Sequence, residues 1–97
     1  MKGNSYENIF IHYKKMSGEI QKRILESIRF REKSVTEIMQ STELGRKSVH
    51  TAVSCLIRRH LVSTRKETGF SINTIFVSIN PRVKIEFIDK LIRSLYE

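Results

Sequence analysis

Tryptophan is absent, and 97 residues hold one cysteine, one proline and four glycines. A lone Cys55 excludes an intramolecular disulfide. The sparse glycines form neither a Walker nor a dinucleotide phosphate-binding pattern. No apolar run approaches the roughly 20 residues that span a bilayer, and nothing matches the basic head, apolar run and small-residue cleavage site of a secretory signal. These absences point to an intracellular, cytoplasmic protein with no membrane partner. Cys55 is not close to His50 along the helix face, and His12 and His60 belong to different elements, so no metal-ligand spacing appears. Serines, histidines and carboxylates are scattered without an elbow or triad. The expectation is therefore no catalytic residue, no metal, no cofactor and no enzymatic activity. Cys55 reads most simply as a small, half-buried residue.

Acidic residues are also in short supply. Ten Asp and Glu face 18 Lys and Arg, for a net charge of +8, and the pI of 10.0 lies above the value of about 9 at which a nucleic-acid footprint is worth considering. A polymeric anion is the implied partner. The 39% hydrophobic content is enough for a folded core, and the length suits one domain over residues 1–97, too small for a large enzyme core with a separate cofactor site. Internal repeats, low-complexity tracts and long linkers are missing.

Hydrophobic periodicity sets the order of elements as helix, helix, short strand, helix, helix, hairpin, helix. A first helix over 5–16 carries Ile9, Phe10, Tyr13 and Met16 as its stripe. A second, over 18–31, turns Ile20, Ile24, Leu25 and Ile28 inward and Lys22, Arg23, Glu26 and Arg29 outward. Ser34-Val35 reads as a two-residue strand, and Thr36 as the cap of a helix reaching Thr42. From 45 to 60, Val49, Ala52, Val53, Leu56 and Ile57 follow the spacing of one buried helical face. The opposite side carries Lys47, Thr51, Ser54 and Arg58, flanked by Arg46 and His50. Strand character returns over 62–80: Thr68-Gly69 marks a turn, and Ile75, Val77 and Ile79 alternate onto one face. Asn80 as cap and Pro81 in the first turn open a last helix over 81–96, striped by Ile85, Ile88, Leu91, Ile92 and Leu95.

Short helices over 36–42 and 45–60, joined by a tight turn and followed by a basic hairpin, resemble the winged helix-turn-helix DNA-binding proteins, particularly the small prokaryotic regulators of the MarR and ArsR type. RILESIRF looks like the first core helix, SVTEIMQST like the scaffold helix, and LGRKSVHTAVSCLIRRHLV like a recognition helix running into the wing. Lys47-Ser48-Val49, Leu56-Ile57, Arg58-Arg59 and Leu61-Val62 sit where that pattern puts them. Two positions depart from it. Glu43 stands in the turn and His60 after the recognition helix, both places where the family commonly has glycine. Either the backbone there does without positive φ, or a residue with a Cβ bears some strain.

The resemblance implies an α+β, mainly helical fold and a major-groove role for the first half of the recognition helix. Arg46 and Lys47 then bond guanine or neutralise phosphate, His50 and Thr51 reach base edges, and Ser48 and Ser54 donate to phosphate oxygens. Arg58 and Arg59, at the helix C-terminus, serve its dipole or the DNA. In the wing, Arg65, Lys66, Ser71 and Asn73 flank Gly69, close to a minor groove or backbone, and Phe70 is expected to fold onto the core. The outer helices hold more large apolar residues than one small core readily buries. Ile9, Phe10, Tyr13, Ile85, Ile88, Leu91, Ile92 and Leu95 are accordingly expected at a homodimer interface.

Three functions fit. The leading one is sequence-specific binding of double-stranded DNA by a homodimer, as a prokaryotic, plasmid or phage transcriptional regulator. The second is a TubR-like centromere-binding adaptor for plasmid or phage partition, whose further partner is a filament-forming NTPase. The third is a protein-interaction module that keeps the fold and binds no DNA.

Overall fold

A computed structural model describes residues 18–69 and 73–94. The expected helix over 5–16, with Ile9, Phe10 and Tyr13, lies outside the described residues, as do Phe70, Ser71 and Leu95. A helix through residues 18–27, α1, is followed by the short strand β1 (Lys33–Ser34), α2 (Val35–Thr42), α3 (Arg46–Arg58), β2 (Val62–Thr68), β3 (Asn73–Ile79) and α4 (Ile85–Arg93). The strands form one antiparallel sheet in the order β1-β3-β2. Among the described residues no helix is long and apolar enough to cross a membrane.

One core serves all these elements. Ile24, Leu25 and Ile28 meet Ile38 of α2, then Val49, Ala52, Val53 and Leu56 of α3, Val62 and Val77 of the sheet, and Ile88 of α4. Burying a side chain of this size contributes about 1.5–3 kcal/mol, so the helix-turn-helix is held mainly by its inner stripe. Val77 is wholly buried, with Ile75 and Ile79 packed beside it, as the alternation in the last strand predicted. Ile57 is an exception to the predicted face: at the edge of the α3 stripe, it is 42% exposed.

Several boundaries differ from those expected. The helix predicted over 18–31 stops at residue 27: the Arg29 amide tightens onto the Glu26 carbonyl, the Arg29 guanidinium turns to Asp89 of α4, and Phe30 is left 89% exposed. The cap of α2 is Ser34, two residues earlier than Thr36. Its hydroxyl accepts the Glu37 amide at 3.1 Å while the Glu37 carboxylate accepts the Ser34 amide at 3.0 Å, a reciprocal pair that Thr36 cannot make, because the residue three positions beyond it is Met39, which has no acceptor to return the bond. Asn80 does not cap α4 directly. Its side chain is engaged by the Arg82 amide and the His60 carbonyl, Pro81 falls in the resulting turn, and α4 starts four residues later than predicted, behind Lys84. Ile88, expected at the dimer contact, is wholly buried in this chain's own core and so is unavailable to a partner.

Candidate nucleic-acid interface

The turn between α2 and α3 depends on backbone conformation more than on side chains. Glu43, at the C-terminal end of α2, adopts φ 59° and ψ 27°, the left-handed region that L-residues with a Cβ enter at a cost of about 1–2 kcal/mol. His60 does the same after α3, with φ 60°. There the His60 amide donates to the Ile57 carbonyl at 2.9 Å and the Leu61 amide to the Leu56 carbonyl at 3.0 Å, the paired bonds of a Schellman motif sealed by two buried leucines. Both departures from the glycine pattern are therefore genuine positive-φ positions.

Those two turns aim α3. Its buried side faces the core, and Arg46, Lys47, Ser48, His50, Thr51 and Ser54 are all exposed. No acidic residue occurs anywhere in α3. Gly45 precedes the helix without a side-chain cap, so the first-turn amides keep their positive potential at the end where anions bind. The two arginines at the far end are partly engaged. Arg58 donates to the Cys55 sulfur at 3.2 Å, and Arg59 donates to Gln21 of α1 at 2.8 Å, which makes Arg59 a clamp between helices. Cys55 is half-buried, as expected.

The hairpin β2–β3 runs in unbroken register from the Val62–Ile79 pair to the Thr68–Asn73 pair and projects beside α3. Arg65, Lys66 and Asn73 are exposed on it. Arg65 is not a free cation: Glu32, in the segment before β1, accepts from it at 2.6–3.0 Å, Glu67 lies 2.9 Å away, and its guanidinium stacks 4.3 Å from the Phe76 ring centre. The Arg65 bonds hold the Glu32 carboxyl below its ordinary range and push the arginine up. Arg65 therefore staples the wing to the body.

Between α3 and the wing lies a cleft of about 280 Å³ lined by Val35, Thr36, Arg46, His50, Asn73, Thr74 and Ile75. Arg46, His50 and Asn73 were expected from the sequence, but not that they share one wall. Thr36 and Thr74 were missed. Thr36 reaches the cleft because the capping box places it in the first turn of α2, and the S-x-x-E pattern at 34–37 was the available signal. Thr74 offers none, being one of several polar residues on the wing strands, half-buried in the fold.

No family model and no curated protein matches the chain. Among solved structures it is similar to HlyU from Vibrio cholerae, with 28% identity and a TM-score of 0.67 over the whole of both chains. It is also similar to the transcriptional regulator HlyU from Vibrio vulnificus, with 28% identity and a TM-score of 0.64 over 100% of this chain and 95% of that one. Pex from Synechococcus sp. superposes with a TM-score of 0.69 over 94% of each chain at 14% identity, a likeness of fold alone. With a helix-turn-helix, a two-stranded wing and a third short strand closing the sheet, the chain has the α+β winged helix-turn-helix fold and resembles the small prokaryotic regulators built on it.

Proposed function

We propose that the chain binds double-stranded DNA as a homodimer and acts as a small prokaryotic, plasmid or phage transcriptional regulator. The carrying observation is the outer face of α3, where Lys47, Thr51, Ser54 and Arg58 form one exposed stripe without a carboxylate. Such a helix fits the major groove, where lysine and hydroxyl groups meet guanine O6 and N7, other base edges and phosphates. The projecting hairpin then meets the adjacent minor groove or backbone through Lys66 and Asn73. Two copies related by a two-fold axis, with recognition helices about 34 Å apart, would address successive major grooves of a palindromic or repeated site. The 28% identity to the transcriptional regulator HlyU favours regulation over partition, which shares the DNA surface but needs a filament-forming NTPase as further partner.

Fluorescence anisotropy with genomic DNA fragments tests the reading. Affinity falls steeply with added salt as phosphate counterions are released, and replacing Lys47 and Thr51 together by alanine abolishes preference among fragments. Binding that is indifferent to salt, or no binding to any fragment, overturns it.

A further inference from the structure

We propose that the cleft between α3 and the wing is a binding site for one phosphodiester of the DNA backbone, with Arg46, His50, Thr36, Asn73 and Thr74 as its donors. Arg46 and His50 are on this assignment backbone contacts and not base readers. The inference rests on the DNA-binding reading and deepens it by separating two kinds of contact on the same helix.

Helical geometry makes the separation. Lys47, Thr51, Ser54 and Arg58 recur every three or four residues and share one stripe, whereas Arg46 and His50, four apart, share the neighbouring flank. That flank faces the start of β3 and the first turn of α2 across the cleft. An element seated in the major groove and another in the adjacent minor groove must have the intervening backbone strand between them, since the two grooves share that strand as their common wall. The concave surface between helix and wing is where that strand crosses.

The lining has the chemistry a phosphodiester requires. A guanidinium makes charge-assisted, bidentate bonds to phosphate oxygens, the His50 imidazole and the Asn73 amide each supply an N–H, and Thr36 and Thr74 supply hydroxyls. Val35 and Ile75 form the apolar part of the wall. No carboxylate lines this cleft. Two other grooves of the molecule differ in this respect: one between α1 and α2 carries Glu26 and Glu43, and one between α1 and α4 carries Glu26, Glu86 and Asp89. Arg46 and His50 also take part in no ion pair or side-chain hydrogen bond among the described residues, in contrast to Arg65, so binding a phosphate displaces no internal partner.

The test uses the full chain and a duplex selected by the wild-type protein, with a panel of single base-pair substitutions in that duplex. Arg46→Ala and His50→Ala each lower affinity about tenfold, the scale of one charged hydrogen bond. They do so equally across the panel, so relative preferences stay those of the wild type, and Arg46→Ala reduces the slope of log affinity against log salt by about 1. Neutralising single phosphates with methylphosphonates identifies one position per half-site at which the wild type loses affinity and Arg46→Ala loses no more. All the substituted side chains are exposed, and a melting curve for each variant confirms that the fold is kept. A change in base preference at particular positions in either variant, an unaltered salt slope, or no phosphate coupled to Arg46 overturns the assignment while leaving DNA binding intact. Failure of the wild type to bind any duplex overturns the DNA-binding reading itself and this assignment with it.

Discussion

Glu43 and His60 each place a Cβ in the left-handed region at a turn that aims the recognition helix. Both positions were visible in the sequence as absent glycines, but the sequence left open whether the backbone needed positive φ there. Glycine at 43 removes a conformational cost of about 1–2 kcal/mol and returns about 0.5–1 kcal/mol through the greater freedom of the unfolded chain. Glu43→Gly is thus expected to raise the urea midpoint, by about 0.5–1 kcal/mol in unfolding free energy, whereas Glu43→Ala, which keeps a Cβ, gives no such gain. Equal midpoints for the glycine and alanine variants would show that the turn bears no strain. Ile57 and Ile88 illustrate the complementary limit. A helical wheel places Ile57 at the edge of the buried stripe, where a few degrees of tilt decide exposure. It places Ile88 at the centre of another stripe without saying whether the chain's own core or a partner covers it.

At the level of elements, periodicity located α2, α3 and both wing strands to within a residue or two, because each has one face on the core. Element ends set by side-chain hydrogen bonds were less legible. The Ser34–Glu37 box competes with Thr36 as a cap two residues away, and Asn80, a good cap by residue type, is instead held in a turn by a tertiary partner, the His60 carbonyl, that no local pattern shows. The two-residue β1 has too little pattern to reveal its pairing with β3. The same limit applies to Arg65, a basic wing residue in the sequence whose charge the fold assigns to Glu32 and Glu67. Held in that way, it offers DNA little net field, and Lys66 is the wing cation that remains available. Lys66→Ala is therefore expected to weaken DNA binding more than Arg65→Ala, and Glu32→Gln to strengthen it and steepen its salt dependence by releasing the Arg65 charge. Anisotropy titrations at several salt concentrations distinguish this from the alternative, in which Arg65→Ala is as damaging as Lys66→Ala because the arginine leaves its carboxylates on binding. Proton linkage runs the same way: the Glu32 carboxyl is lowered from 4.5 by Arg65, so the staple is complete above that value and is lost as pH falls through the lower folded value.

For the molecule as a whole, the order of helices and hairpin was legible because it follows from local patterns, while contacts between distant segments were not. The Arg29–Asp89 pair joining the end of α1 to α4 spans 60 residues, and no feature of either neighbourhood predicts it. That tie fixes which side of α4 faces inward. With Ile88 wholly buried, and Ile85, Leu91 and Ile92 half-buried against the same core, the large apolar side chain that α4 leaves for a second copy, among the described residues, is Phe87. We therefore propose that a dimer contact through α4 centres on Phe87, a residue outside the stripe of Ile85, Ile88, Leu91, Ile92 and Leu95 that the sequence suggested. Sedimentation equilibrium of the wild type should give twice the 11.4 kDa chain mass, and Phe87→Glu should return it to the single-chain value. Phe87 is 50% exposed in the single chain, so this substitution should leave secondary structure intact, which circular dichroism can verify. Halving the number of phosphate contacts should also roughly halve the slope of log affinity against log salt. If Phe87→Glu leaves both mass and slope unchanged, α4 is not the dimer contact, and a wild type that sediments at 11.4 kDa removes the two-fold arrangement from the proposed mode of DNA binding.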